Sequence, residues 1–319
     1  MSLPRWGIVT TVKAPAEQVL AFVAHHLGLG PARIFVHFDA PETGGMAALE
    51  GLPGVQAIAC DARYWRQLRG TRPPAHQYRQ ALNLQRVYAR TKLDWLLHID
   101  VDEFLLAETP VAPMLAAATG PMVRVEPWDA LHDPQAPDDI LRGRWFRRAL
   151  RPGEDAAGLM RLLSPYGTLL KRGMLGHSAG KCFFRTGLAD FAPAIHTARQ
   201  GGAQLDAGAF TPGLALLHFH AEDPDTWRAR LPFRTERGAY RNLPELQAFF
   251  RTATPETLDD FYRVTQTATP AALAGLAALG MLREERLGLR EKVAGLGQVR
   301  QSQPTPLTPP VVPPSSGPR

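Results

Sequence analysis

Three acidic residues stand within four positions of one another, directly after an apolar segment. The segment Trp95 to Ile99 is a candidate buried strand, and Asp100, Asp102 and Glu103 follow it. In an extended chain, alternation places Asp100 and Asp102 on one face and Glu103 on the other. Adjacent carboxylates repel each other unless a cation lies between them, and hard oxygen ligands suit Mg²⁺ or Mn²⁺. The segment therefore predicts a divalent-cation site at Asp100 and Asp102 that also binds phosphate oxygens, with Glu103 in a structural role.

Two histidines follow another apolar segment of the chain. His218 and His220 are two positions apart, after Leu214 to Leu217, so strand alternation places both on one face. Imidazoles at this spacing are candidate metal ligands, and we prefer His218. The alternative is that both histidines are ordinary core or surface residues.

A loop bounded by glycines forms a third candidate element. Gly176 to Gly180 precedes Lys181 and the apolar stretch that starts at Cys182. Glycine permits close approach of the backbone to a ligand, and Lys181 can bind a phosphate oxygen or an acceptor anion. A hairpin turn with surface charges is the competing interpretation.

Strands and helices alternate over the first hundred residues. The pattern predicts strands over 6–12, 33–38, 55–60 and 95–99, and helices over 16–27 and 75–90. This alternation indicates a mostly parallel α/β sheet flanked by helices, in which ligands bind beyond the carboxyl ends of the strands. Those ends carry Lys13, Asp39, Asp61 and the two aspartates. No glycine-rich phosphate loop follows the first strand, which argues against dinucleotides and P-loop nucleotides.

The pattern changes twice in the rest of the chain. Short predicted strands cover 122–125, 145–146, 168–170, 181–184 and 214–220, and predicted helices cover 225–237, 243–251, 255–265, 270–279 and 283–293. The last nineteen residues hold seven prolines, which is typical of a disordered, partly polyproline tail. We therefore divide the chain into a domain over 1–235 (halves 1–120 and 121–235), a helical extension over 236–298 and a tail over 299–319.

Composition narrows the classes of function. The net charge is +6, from 36 basic and 30 acidic residues, but no basic run with interleaved aromatics indicates nucleic-acid binding. Cys60 and Cys182 are too few and too isolated for a disulfide framework or a zinc site. The chain shows neither a signal peptide nor an apolar segment of membrane-spanning length. We therefore expect a cytoplasmic protein with at most peripheral membrane contact.

The block WLLHIDVDEFL, from Trp95 to Leu105, resembles the signature of family 2-like glycosyltransferases with the GT-A fold, particularly a bacterial subset with a WLLxxDVDEF block. Upstream, Gln80-Ala81-Leu82-Asn83 resembles the Ala-x-Asn helix of the family, although the arginine often found before the asparagine is Leu82 here. The strand ends at Thr10 to Lys13 and at Asp39 also resemble the family. The resemblance covers about residues 5 to 235, is strongest over 80–105, and weakens beyond 120.

This resemblance implies a GT-A-like fold with a nucleotide-binding half and a mixed acceptor half. It implies transfer of a sugar, with inversion, from a nucleotide-diphosphate sugar to a glycan or glycolipid. Asp100 and Asp102 would bind the metal and the diphosphate, with His218 or His220 as a further ligand. Nucleotide contacts are expected from Thr11, Lys13, Asp39, Gln80, Asn83 and Lys181. Solvated lysines, a turn before Pro41 and simple helix packing are the alternatives for these residues.

An inverting transfer also needs a carboxylate base next to the acceptor hydroxyl. Asp129, Asp133 and Asp139 are candidates in the acceptor half, and the sequence leaves the choice among them open.

Two other functions stay open at this point. One is a metal-dependent phosphoester hydrolase that uses His98, Asp100, Asp102, His218 and His220. The other is a non-catalytic module that binds a nucleotide or a sugar, because a fold does not fix a function.

Overall fold

The computed structural model describes residues 2–41, 45–170, 172–221, 223–238, 240–241 and 243–301, with side chains to residue 296 in the last helix. These residues form an α/β fold built on a ten-stranded mixed sheet. The predicted tail lies outside the described residues from 302 onward, whereas 299–301 belong to the last helix.

The strands are short in most of the described chain. They are β1 (Trp6–Val12), β2 (Arg33–Phe38), β3 (Val55–Ala59), β4 (Trp95–His98), β5 (Glu103–Ala107), β6 (Met122–Ala130), β7 (Trp145–Arg148), β8 (Lys181–Arg185), β9 (Phe191–Pro193), β10 (Ala198–Gln200), β11 (Ala203–Gln204), β12 (Leu214–His218) and β13 (Leu282–Glu284).

The helices flank the sheet and form the region that follows β12. They are α1 (Ala16–Leu27), α2 (Ala62–Arg69), α3 (His76–Tyr88), α4 (Val111–Ala117), α5 (Ala156–Leu162), α6 (Pro224–Glu236), α7 (Pro244–Thr252), α8 (Pro255–Gln266), α9 (Pro270–Ala278) and α10 (Leu289–Gln301).

Four parallel strands in the order β3-β2-β1-β4 make the first half of the sheet. Every residue of β1 is buried, as expected for a central parallel strand rich in β-branched residues. Parallel strands end at the same edge, so this half brings the residues after β1, β2, β3 and β4 together. The predicted parallel half of the sheet is confirmed.

The second half of the sheet is mixed. Strand β8 is antiparallel to both β4 and β6, and β6 continues antiparallel to β7. Strand β12 is parallel to β6 and antiparallel to β5. This curled mixed sheet, flanked by helices, confirms the predicted α/β fold with a parallel half and a mixed half. The divisions at residues 120 and 235 stay predictions.

Several apolar clusters hold these layers together. On one face of the sheet, α1 buries Phe22 and its neighbours against β1 and β2. On the opposite face, Leu84 and Val87 of α3 pack on Val9 and on β4. A separate cluster, rich in aromatics such as Trp227, joins α5 to α6, α7, α8 and α9. The edge where β1 to β4 end is therefore framed by α3 on one side and by the mixed half on the other.

Two sequence predictions about elements were wrong. Residues 168–170 form turns rather than a strand, because Leu169 and Leu170 pack into the helical cluster instead of pairing with the sheet. The predicted helix over 283–293 is divided into β13, which pairs with β7, and α10. Gly288 lies between these elements with a φ of 58°, a conformation that favours glycine. In the described part of the chain, no helix is long and apolar enough to cross a membrane.

Candidate functional site

The three acids after β4 lie at a tight turn. The backbone N–H of Glu103 donates to the carbonyl of Asp100 at 3.0 Å, and the Glu103 carboxylate accepts the Asp100 N–H at 2.7 Å. The strand alternation predicted for residues 100–103 was therefore wrong, because the chain turns back at the end of β4. Glu103 consequently folds onto Asp100 instead of pointing to the opposite face.

Asp100 is held on both carboxylate oxygens by other side chains. The Nζ atom of Lys181 lies 2.7 Å from Oδ2, and the side-chain amide of Gln80 donates to Oδ1. Lys181 also lies 3.3 Å from Oε2 of Glu103, and its side chain is only 2% exposed. The structure thus brings the predicted site residues Gln80, Asp100 and Lys181 together.

Burial and neighbouring charges have opposite effects on the pKa values of Asp100, Lys181 and Glu103. Shielding from solvent by itself would raise the pKa of Asp100, but the adjacent Lys181 charge outweighs it and lowers that pKa well below its usual range. Burial would lower the pKa of Lys181, and the charges of Asp100 and Glu103 raise it instead. Burial raises the pKa of Glu103 to about 7, against the effect of Lys181. We therefore treat Lys181 and Asp100 as a charged pair.

Asp102 differs from its two acidic neighbours. Its backbone carbonyl accepts the N–H of Phe219 at 3.0 Å, which fixes the turn beside the end of β12. The side chain is half-buried, and no described residue makes a hydrogen bond or an ion pair with its carboxylate. The negative charge of Asp102 contributes to raising the pKa of His218, which shows that the two groups are neighbours. Asp102 is therefore the acid of this turn that is available to a ligand.

Register pairing places a row of charged residues across the mixed half. Glu103 of β5 pairs with His218 of β12, His218 pairs with Asp129 of β6, and Asp129 pairs with Arg147 of β7. Nδ1 of His218 lies 2.9 Å from Oδ1 of Asp129. Burial would lower the pKa of His218, but the hydrogen bond and the charge of Asp129 raise it to about 10. Asp129 also accepts the N–H of Gly176 at 2.8 Å.

The second predicted histidine has different surroundings. Strand β12 ends at His218, and the ring of His220 contacts the hydroxyl of Tyr240 at 3.0 Å. Trp227 donates its indole N–H to the same hydroxyl at 3.1 Å. Burial lowers the pKa of His220 well below its usual value. His220 therefore belongs to the network of the helical cluster.

The predicted metal ligands do not fit a shared divalent ion in this arrangement. Both oxygens of Asp100 have donors, and Nδ1 of His218 bonds Asp129, so among the predicted metal ligands only Asp102 offers a free carboxylate. Among the residues that the structure describes, no group of three or more His, Cys, Asp or Glu side chains is placed to hold a metal. The Mg²⁺ or Mn²⁺ ion stays a prediction.

The hydrolase alternative needs five residues at one centre, and the described chain does not gather them. His98 is fully buried, both of its ring nitrogens lack a partner, and burial lowers its pKa to about 3. His220 is turned towards Tyr240 instead. No observation favours this function over the others.

An open cleft of about 730 Å³ lies at the ends of β1, β2 and β3. Its polar lining consists of Lys13, Asp39, Asp61, Arg66, Thr71 and Arg72. Nη2 of Arg79 lies 2.6 Å from Oδ2 of Asp39, and Nη2 of Arg72 lies 3.0 Å from the same oxygen. Burial would raise the pKa of Asp39, but hydrogen bonds from His76 and Arg79 and the neighbouring guanidinium charges lower it well below its usual range. The exposed Lys13 and Arg72 leave the cleft with a cationic rim.

Helix α3 connects this cleft to the acidic turn. Arg79 binds Asp39 after β2, and the next residue, Gln80, binds Asp100 after β4. One turn further, Asn83 donates to the hydroxyl of Thr11 at 2.9 Å and accepts the Tyr64 hydroxyl at 2.8 Å. Gln80 thus reaches the acidic turn, whereas Asn83 and Thr11 lie in a buried network.

Each candidate base has a partner within the chain. Asp129 is bound by His218 and Gly176, and Asp133 accepts the N–H of Gln135 at 2.9 Å. Asp139 accepts the N–H groups of Leu289 and Arg290, both at 2.8 Å, at the start of α10. Asp139 therefore has a structural function that the sequence did not predict, and the identity of a base stays open.

Sequence reasoning missed Arg79 and the stacking contact between His177 and His196. Arg79 stands beside the predicted Gln80, so its helical position was an available signal. His177 belongs to the loop before Lys181, and its ring stacks on that of His196 with centroids 3.8 Å apart. His196 also contacts the carbonyl of Gly180 at 2.8 Å. The sequence indicates His196 as a polar residue near this loop, but it does not show that the two rings stack.

Comparisons with known proteins add little to this geometry. Neither the protein-family models nor the curated proteins gave a match. Among solved structures, the chain is similar to residues 1–349 of S. aureus TarS, with 9% identity over 94% of this chain and 92% of that chain and a TM-score of 0.34. It is also similar to HddC from Yersinia pseudotuberculosis, with 8% identity over 68% and 77% and a TM-score of 0.28. Such scores are too low to support a function, so the site itself must do so.

Proposed function

We propose that the protein is a glycosyltransferase that moves a sugar from a nucleotide-diphosphate sugar to a glycan or glycolipid acceptor. One observation carries this proposal. The consecutive residues Arg79 and Gln80 join the cationic cleft after β2 to the acidic turn after β4, so both lie at the carboxyl edge of the parallel strands. Open α/β sheets bind their ligands at this edge.

The charges at this edge suit a diphosphate leaving group. Negative charge grows on the diphosphate as the bond to the sugar breaks, and fixed cations aimed at it lower the barrier. Lys13, Arg66 and Arg72 line the cleft, and Arg72 is anchored by Asp39. We assign stabilisation of the leaving group to these cations of the chain itself. Asp102 would contact the donor, because its carboxylate has no partner among the described residues.

The mixed half would bind the acceptor. The row of Glu103, His218, Asp129 and Arg147 lies beside Asp102, and because Glu103, Asp129 and Arg147 are buried it would form the internal support of the acceptor site. Inversion at the sugar carbon is implied by the family resemblance and requires a carboxylate base.

A screen of UDP-, GDP- and other nucleotide sugars by thermal shift, with and without Mn²⁺, tests the donor class. A donor that binds only the folded chain stabilises it by about 2.7 kcal/mol at a concentration of 100 Kd, so one nucleotide should raise the Tm by several degrees. Arg72→Ala is the matched variant, because its side chain is 46% exposed and its loss should weaken binding with little effect on folding. If no nucleotide sugar stabilises the folded protein under either condition, the proposal is wrong.

A further inference from the structure

Lys181 occupies the position that a bound cation would take between two acids. Its ammonium lies 2.7 Å from Oδ2 of Asp100 and 3.3 Å from Oε2 of Glu103, and it is the first residue of β8. The side chain is 2% exposed, so its charge is compensated by these carboxylates rather than by water.

The two acids have little capacity left for another cation. The second oxygen of Asp100 accepts the amide of Gln80, and Oε2 of Glu103 also accepts the Asp100 N–H at 2.7 Å. A divalent ion at Asp100 would have to expel a buried ammonium and leave it without a partner, which is strongly unfavourable. The pairing of Nδ1 of His218 with Asp129 at 2.9 Å also occupies one ring nitrogen of the predicted third ligand.

We propose that Lys181 is the resident cation of this site and takes the place of a dissociable divalent ion at Asp100 and Glu103. Donor binding at the proposed glycosyltransferase site then does not require Mg²⁺ or Mn²⁺, in contrast to the dependence predicted from the sequence. This inference rests on the proposed function only for its statement about the donor. Its statement about cation binding concerns the protein alone.

A titration with Mn²⁺ alone tests the cation statement. Electron paramagnetic resonance of free Mn²⁺ reports how much ion the full chain binds, without any nucleotide or activity. We expect the natural protein to bind no stoichiometric Mn²⁺, and Lys181→Met to bind one ion at least about tenfold more tightly, because its acids lose their internal cation. Lys181→Arg keeps a cation and should behave like the natural protein. Tight binding of one Mn²⁺ by the natural protein, or no gain in Lys181→Met, would overturn the inference.

Folding of the variants is checked by urea unfolding before each titration. If Lys181→Met does not fold, the double variant Lys181→Met with Glu103→Gln removes one charge of each sign and takes its place. That variant keeps Asp100 but not the carboxylate of Glu103, so we still expect tighter Mn²⁺ binding than in the natural protein. Mn²⁺ binding no tighter than that of the natural protein would contradict the inference. If neither variant folds, the titration of the natural protein decides alone.

Donor binding supplies the second measurement. The affinity of the natural protein for the best nucleotide sugar from the screen should differ by less than about twofold between EDTA and Mn²⁺. A loss of about tenfold or more in EDTA would show that a metal is needed and would overturn the inference. Failure of the proposed function has a different signature, because no nucleotide sugar would then bind in either condition while the Mn²⁺ titration remains interpretable.

Discussion

The ammonium nitrogen of Lys181 lies 2.7 Å from Oδ2 of Asp100, although 81 positions separate the two residues. Antiparallel pairing of β4 with β8 explains the contact, because the register that pairs Leu97 with Phe183 brings Lys181 beside the end of β4. Two aspartates that look equivalent in the sequence are therefore different in the fold. Asp100 is anchored inside the protein, and Asp102 is left for a ligand.

Substitution of each aspartate should separate these two roles. We expect Asp102→Asn to reduce donor turnover by about 100-fold or more while its free energy of unfolding stays nearly unchanged. Asp100→Asn should lower the free energy of unfolding by about 1–3 kcal/mol, because it removes a carboxylate from buried Lys181. Urea unfolding and a turnover assay on both variants make the comparison. Retained turnover in Asp102→Asn, or equal destabilisation by both substitutions, would contradict this assignment.

Substitution of Asn83 tests whether this residue supports the buried interior or contacts the nucleotide. Its amide bonds Thr11 and the Tyr64 hydroxyl in a buried network. We expect Asn83→Ala to lower the free energy of unfolding by about 1–3 kcal/mol, because it leaves the hydroxyls of Thr11 and Tyr64 buried without a hydrogen-bond partner. Tyr64→Phe should lower the free energy of unfolding by about 1 kcal/mol. Thermal unfolding measures both. If the Asn83 variant keeps the stability of the natural protein but binds nucleotide more weakly, Asn83 contacts the nucleotide instead.

His218 should make stability depend on alkaline pH. Its pKa rises from 6.5 to about 10 in the folded protein. The unfolded chain releases this proton near pH 6.5 while the folded protein retains it, so the stabilisation is complete below pH 6.5 and is lost as the pH rises through about 10.

The slope of this loss reaches about 1.4 kcal/mol per pH unit for one fully linked proton. Urea unfolding between pH 6 and pH 10 should therefore show a steeper decline for the natural protein than for His218→Gln. Parallel curves for the two proteins would mean that His218 does not hold its proton in the fold.

Asp139 should behave as a capping residue rather than as a base. Its carboxylate accepts the N–H groups of Leu289 and Arg290 at the start of α10. Asp139→Ala should cost about 0.5–2 kcal/mol of stability and leave turnover unchanged.

The neighbouring Asp138 is the matched control for this substitution. Its side chain is 83% exposed and lies 3.4 Å from Arg290, so Asp138→Ala should change stability by less than about 1 kcal/mol. Loss of turnover at natural stability in Asp139→Ala would return Asp139 to the candidates for the base.

The parallel half was predictable because its signals are local. The predicted bounds of β1 and α1, Trp6–Val12 and Ala16–Leu27, agree with the structure, since β-branched residues mark the strand and apolar periodicity with a following glycine marks the helix. Strand β6 is longer than predicted, because Glu126 to Ala130 pair with β12 and β7 although the sequence there is not uniformly apolar. Pairing partners of this kind are not visible in a local pattern.

The sequence pointed to residues of the candidate site, but it did not predict which of them contact each other. The motif around Asp100 and the loop before Lys181 were separate features of the sequence, and only the β4–β8 register joins them. The turn at Asp100 to Glu103 escaped prediction because an apolar strand followed by acids is compatible with either extended or turned backbone. The roles of the predicted nucleotide contacts stay predictions.

The adjacency of Arg79 and Gln80 has a mechanical consequence. Both belong to one helix, so an axial displacement of α3 would pull on Asp39 and on Asp100 together. A ligand that draws Arg79 away from Asp39 would also strain the hydrogen bond from Gln80 to Asp100, because no hinge separates Arg79 from Gln80. The cleft beside Asp39 and the acidic turn at Asp100 would then be coupled through the single peptide bond between Arg79 and Gln80.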